Sequence, residues 1–93
     1  KLMKCGGLFR ASQINSIAEA FGVTCMVGCM METKLATTAG VSLVAAKKNI
    51  TEADCDSFLF YADEQTGMTG GFIRDNDIFT LLDAPGFGLD LSF

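Results

Sequence analysis

The sequence predicts an α/β fold, with short strands alternating with helices around a parallel sheet. Three observations predict it. Apolar residues recur at three- and four-residue intervals in two stretches, 11–21 and 32–48; a nearly continuous apolar run, 23–28, lies between them; and the connections are short. Such alternation marks βαβ units, whose strands are buried by helices on both faces.

The opening segment, Lys1-Leu2-Met3-Lys4-Cys5-Gly6-Gly7, reads as the end of a strand followed by a glycine loop. On a strand Lys1 and Lys4 point to opposite faces, so only one of them looks into a sheet or barrel interior. The first helix is expected from Ala11 to Phe21, where Ile14, Ile17, Ala18 and Phe21 form one apolar face and Gly22 stops the helix. Val23-Thr24-Cys25-Met26-Val27-Gly28 is β-prone and suits a strand buried on both sides. Glu32 to Lys48 forms the second helix, packing through Leu35, Ala36, Ala39, Leu43, Val44 and Ala46, with Lys47 and Lys48 complementing the dipole in its last turn. Ile50 to Phe60 is a third short segment, broken by acids. Thr66 to Gly71 is a flexible loop; Phe72-Ile73-Arg74 and Ile78-Phe79-Thr80-Leu81 flank the polar turn Asp75-Asn76-Asp77 as a hairpin; and Asp83 to Leu91 is a turn with a short extended tail.

Charge and composition narrow the function. The chain has 93 residues and a net charge of -4, and no basic run exceeds Lys47-Lys48. It lacks the basic footprint that nucleic acid or an anionic membrane requires. No apolar stretch approaches the ~20 residues of a membrane span, and the first residues lack signal-peptide order, so a cytoplasmic protein is expected. Four cysteines, at 5, 25, 29 and 55, are too sparse for a disulfide scaffold and lack the paired spacing of structural zinc. Reduced thiols are expected. The sequence opens without methionine, and two or three parallel strands leave unpaired edges. The expectation is therefore a C-terminal part of a larger domain, poorly soluble alone.

Three places carry candidate chemistry. In Asp54-Cys55-Asp56 the two acids are spaced i and i+2, which on a strand projects both carboxylates to one face. Like charges that close need a cation between them, a metal or an ammonium; in a solvated loop they would instead cap a helical turn. Lys1 or Lys4, held in a partly desolvated site, would serve as an acid/base; at an open strand end it is a surface charge. Gly28-Cys29-Met30-Met31-Glu32-Thr33 leads a strand into a helix, where backbone N–H groups receive an anion; equally, Met30 and Met31 fill a core and Glu32 complements the dipole.

Taken together, Lys1 to Gly7, Met26 to Leu35, Ile50 to Asp56, Gly70-Gly71 and Pro85-Gly86-Phe87-Gly88 closely resemble the C-terminal quarter of the dipeptide epimerases. These are muconate-lactonizing-type members of the enolase superfamily. The likeness spans essentially the whole chain. It implies the end of strand six through strand eight of a modified TIM (β/α)8 barrel of ~250 residues, here 1–60, followed by loop, hairpin and a tail, 61–93, returning toward a capping domain. By that resemblance Lys1 is one of two acid/base lysines, Asp54 and Asp56 hold a dipeptide's α-ammonium, and Cys29 and Met31 contact its carboxylate. It further implies Mg²⁺ as cofactor, with its ligands, the second lysine, strands one to five and the capping domain all upstream, so that none of this chain's residues is a metal ligand. The implied reaction is a 1,1-proton transfer inverting the second residue of a dipeptide, by default L-Ala-L-Glu, in a homo-oligomer when full length. N-succinylamino-acid racemase, o-succinylbenzoate synthase, muconate cycloisomerase and a non-catalytic truncated remnant are the alternatives.

Overall fold

The computed structural model describes residues 1–60 and 67–92. Helices α1 (Leu2–Cys5) and α2 (Leu8–Ala20) precede strand β1 (Cys25–Gly28), helix α3 (Lys34–Ala46) and strand β2 (Ile50–Asp54). A 3₁₀ helix, Asp56–Phe60, follows. Then come β3 (Met68–Gly70), β4 (Phe72–Asp75), β5 (Ile78–Leu81) and β6 (Leu89–Leu91). The predicted α/β alternation is present, with β1 and β2 paired in parallel through the α3 crossover.

The opening departs from the strand end expected there. The Lys1 carbonyl accepts from the N–H groups of Lys4 and Cys5, at 3.0 and 3.1 Å, closing a single helical turn that Gly6 ends at φ 94°. Opposite-face reasoning for Lys1 and Lys4 therefore does not apply. Lys1 is the N-cap of α1, and its side chain leaves toward β1.

Helix α2 begins at Leu8, earlier than expected, and its expected apolar face is not buried. Ile14, Ile17 and Phe21 are 51, 61 and 81 % exposed, because no described element covers them. The helix is tied down instead through Asn15, 3 % exposed, whose side chain accepts from Asn49 Nδ2 at 3.3 Å. Asn49 Nδ2 also donates to the Val23 carbonyl at 2.9 Å. One polar contact thus links α2 to the α3–β2 turn, and a buried amide is tolerated because it is paired.

Helix α3 starts at Lys34, later than the Glu32 expected, and Thr33 caps it, accepting from the Ala36 N–H at 3.3 Å. Lys47 and Lys48 lie beyond the last turn, not within it as expected, since α3 ends at Ala46. The core joins Val41 and Leu43 of α3 to Val27, Ile50 and Cys55. Gly40 faces this core: a Cβ added there would stand 3.6 Å from Val27 Cγ1 and 4.0 Å from Cys55 Sγ. Helix and sheet are close-packed along that line.

Of the loop expected at 66–71, Thr66 lies outside the described residues, and Met68–Gly70 is strand β3, antiparallel to β6 in the supposed tail. The hairpin is as predicted, with Asp75 joining β4 and Asn76 at φ 54° in the turn. Its Phe79 packs edge-on against Phe58, centroids 5.7 Å apart, and Arg74 lies 4.1 Å above the Phe58 ring. The hairpin therefore buttresses the 3₁₀ helix that follows β2.

Candidate functional site

The pairing of β1 with β2 decides which side chains meet. Its register runs Met26↔Glu52, Val27↔Ala53 and Gly28↔Asp54, after an irregularity between Cys25 and Met26. Partners across a ladder share a face, and alternate residues share it along the strand. Val27 and Cys55 turn toward α3, as their approach to Gly40 shows. Met26, Gly28, Glu52 and Asp54 occupy the other face.

Lys1 lies over that second face. A Cβ added at Gly28 would stand 3.3 Å from Lys1 Cε and 3.7 Å from Met26 Cε. The Lys1 ammonium donates to Met30 Sδ at 3.5 Å. A glycine at 28 thus gives the lysine a channel across the strand end.

The two acids meet, though not by the strand geometry expected of them. β2 ends at Asp54 and Asp56 opens the 3₁₀ helix. The ligand atoms of Asp54, Asp56 and Cys29 nevertheless all lie within 4.8 Å of one another. The Cys29 thiol donates to Asp56 Oδ1 at 3.3 Å. Cys29 is 9 % exposed, while Asp54 is open to solvent. Between the acids Cys55 turns inward, and its thiol is pushed up from 9.0 to about 11, chiefly by burial and further by the negative potential of Cys29, Glu32, Asp54 and Asp56. It is an inert core thiol.

This trio is the metal-ligand cluster found among the described residues. Its donors do not suit Mg²⁺, which takes oxygen ligands in octahedral array and has little affinity for a thiol. An ammonium fits better, since it donates to both carboxylates and needs no fixed coordination geometry.

Of Cys29 and Met31, Cys29 lies in the cluster with the acids, and Met31 is 80 % exposed beside it in the chain. Met30, whose segment the sequence singles out, and Ser57, which it does not, are both built into the site. Met30 accepts from Lys1. Ser57, 1 % exposed, donates to the Met30 carbonyl and accepts from the Glu32 N–H at 3.2 Å. Neither contact had a local signal, because the partners are far apart in the chain.

The family model described as enolase C-terminal domain-like matches residues 1–92. The chain belongs to the enolase C-terminal domain-like family. Among curated members, the L-Ala-D/L-Glu epimerase of Clostridium acetobutylicum is 42 % identical over 90 residues, covering 97 % of this chain and 25 % of that one. The substrate-liganded L-Ala-D/L-Glu epimerase of Bacillus subtilis superposes with a TM-score of 0.89 at 39 % identity, over 98 % of this chain and 25 % of the other. The Enterococcus faecalis dipeptide epimerase, complexed with Mg and the dipeptide L-Leu-L-Tyr, superposes at 0.86 with 43 % identity, over 97 % and 25 %. The chain thus spans about a quarter of the length of the enolase C-terminal domain-like relatives it matches.

Proposed function

We propose that the chain forms the part of a dipeptide epimerase that holds the substrate's ammonium and supplies one of its two acid/base lysines. The observation that carries this reading is the meeting of Asp54 and Asp56 within 4.8 Å at the end of β2, on the side of the sheet crossed by Lys1. Two carboxylates so close repel unless a cation lies between them, and the α-ammonium of a dipeptide supplies charge and donors together. Anchoring that end orients the next residue's α-carbon, and orientation is a large part of lowering the barrier.

Lys1 acts at one face of that carbon, taking or returning its proton through Nζ; inversion requires a second group on the opposite face. The enzyme is Mg²⁺-dependent in this reading, and the metal stabilises the charge that develops on the substrate carboxylate. Its ligands are contributed from outside the described residues. The substrate class is a dipeptide with a free N-terminus, L-Ala-L-Glu by default. Substrates lacking an ammonium, such as N-succinylamino acids, would leave the acids unpaired.

The test uses the full-length enzyme with Mg²⁺ in D₂O. Deuterium should enter the second residue of a dipeptide as its centre inverts. Asp54→Gly should lower dipeptide turnover far more than it lowers metal affinity. Lys1→Ala should abolish inversion while preserving exchange initiated from the other face on one diastereomer. Unchanged turnover in both variants would refute the assignment.

A further inference from the structure

Ser57 and Asp56 are neighbours in one 3₁₀ turn, yet together they grip the β1–α3 connection at three points. Asp56 Oδ1 accepts from the Cys29 thiol at 3.3 Å. Ser57 Oγ donates to the carbonyl of Met30 and accepts from the N–H of Glu32 at 3.2 Å. Ser57 is 1 % exposed, so its hydroxyl makes these two bonds out of contact with solvent. Met30 and Met31 of this connection are 41 and 80 % exposed. Met30 also receives the Lys1 ammonium at 3.5 Å.

The geometry points to Ser57 as a positioning residue that holds the Cys29–Glu32 connection in register with the Asp54/Asp56 pair. The role rests on the functional reading above. In that reading the acids grip one end of the substrate, while the connection borders the site and carries Met30 to Lys1. A single hydroxyl, used as donor and acceptor at once, holds the Met30 carbonyl and the Glu32 N–H of that connection beside the acids. Alanine would remove the hydroxyl's bonds to the Met30 carbonyl and the Glu32 N–H, and the connection would loosen where Ser57 meets it.

The test compares wild type, Ser57→Ala and Ser57→Thr in the full-length enzyme with Mg²⁺ and L-Ala-L-Glu, together with amide hydrogen exchange at Glu32. For Ser57→Ala the expected result is KM raised about tenfold with kcat changed less than about threefold, the pattern of lost ground-state positioning. Exchange at Glu32 should accelerate, and Ser57→Thr, which keeps the hydroxyl, should restore KM. If Ser57→Ala does not fold, Ser57→Cys, a weaker donor and acceptor, should give an intermediate KM. A loss of kcat at unchanged KM would show only a smaller folded fraction and would overturn the role, as would unaltered exchange at Glu32. A wild type that epimerises no dipeptide would overturn the functional reading itself, and the positioning role with it.

Discussion

Gly28 on β1 stands opposite Asp54 on β2, and the aliphatic chain of Lys1 occupies the space where a side chain at 28 would be. The strand is bare there so that the lysine can cross it. A methyl at this position would come within 3.3 Å of Lys1 Cε. The lysine is flexible and exposed, so it would yield at little cost to stability, but its Nζ would move. Gly28→Ala in the full-length enzyme should therefore lower kcat for dipeptide inversion by up to about tenfold, because even a displacement of tenths of an ångström degrades the alignment of a reacting group. The melting temperature should stay within a few degrees, as read by calorimetry beside the kinetics.

The Cys29 thiol is the donor that orients Asp56. Cys29→Ser keeps a donor at that position, whereas Cys29→Val removes it while retaining comparable bulk. KM for the dipeptide should stay within about twofold in the serine variant and rise several-fold in the valine variant, as expected for one hydrogen bond to a charged group. Steady-state kinetics on the pair distinguish the donor's contribution from that of volume.

Two glycines that pack near α3 should respond in opposite ways. At Gly40 an added methyl meets nothing nearer than 3.6 Å. Gly40→Ala should stabilise the chain by up to about 1 kcal/mol through helix propensity. At Gly71 φ is +84°, and the methyl would fall 2.6 Å from Thr38 Oγ1, a buried hydroxyl already bound to the Lys34 carbonyl at 2.7 Å. Gly71→Ala should cost more than about 2 kcal/mol. Urea unfolding of both variants checks the contrast.

Cys55 predicts a pH dependence. Its thiol is raised from 9.0 to about 11 in the folded chain, so between those values the unfolded chain has lost this proton and the folded chain keeps it. Stability from this group is complete below pH 9 and is lost as pH rises through about 11. Wild type should lose more stability than Cys55→Ala over that window in parallel denaturation curves. At pH 8 a thiol reagent should modify the partly exposed Cys5 and Cys25 while sparing Cys55.

The alternating order was legible because periods of two and of about three and a half survive in short segments. β1, α3 and the β4–β5 hairpin lie close to where apolar pattern and turn residues placed them. α1 was not legible, since four residues carry no period, and a lysine followed by apolar residues suits a strand equally well. The face of α2 was read as apolar, and its exposure was not legible, because periodicity reports a face that packs without reporting where its partner lies. Asp54, Asp56 and Lys1 were singled out from charge spacing and resemblance, and Met30 within its segment. The contacts of Ser57 were missed because a serine acquires meaning only from partners more than two dozen residues away, which no local window contains.

The inward turn of Cys55 sets the spacing of the acids on either side of it. Its sulfur lies against Gly40 on the α3 side, while Asp54 ends β2 and Asp56 opens the 3₁₀ helix. Insertion or deletion of one residue between the acids would unseat that sulfur and part the two carboxylates. A residue of the core thereby acts as the gauge of the pair at the surface.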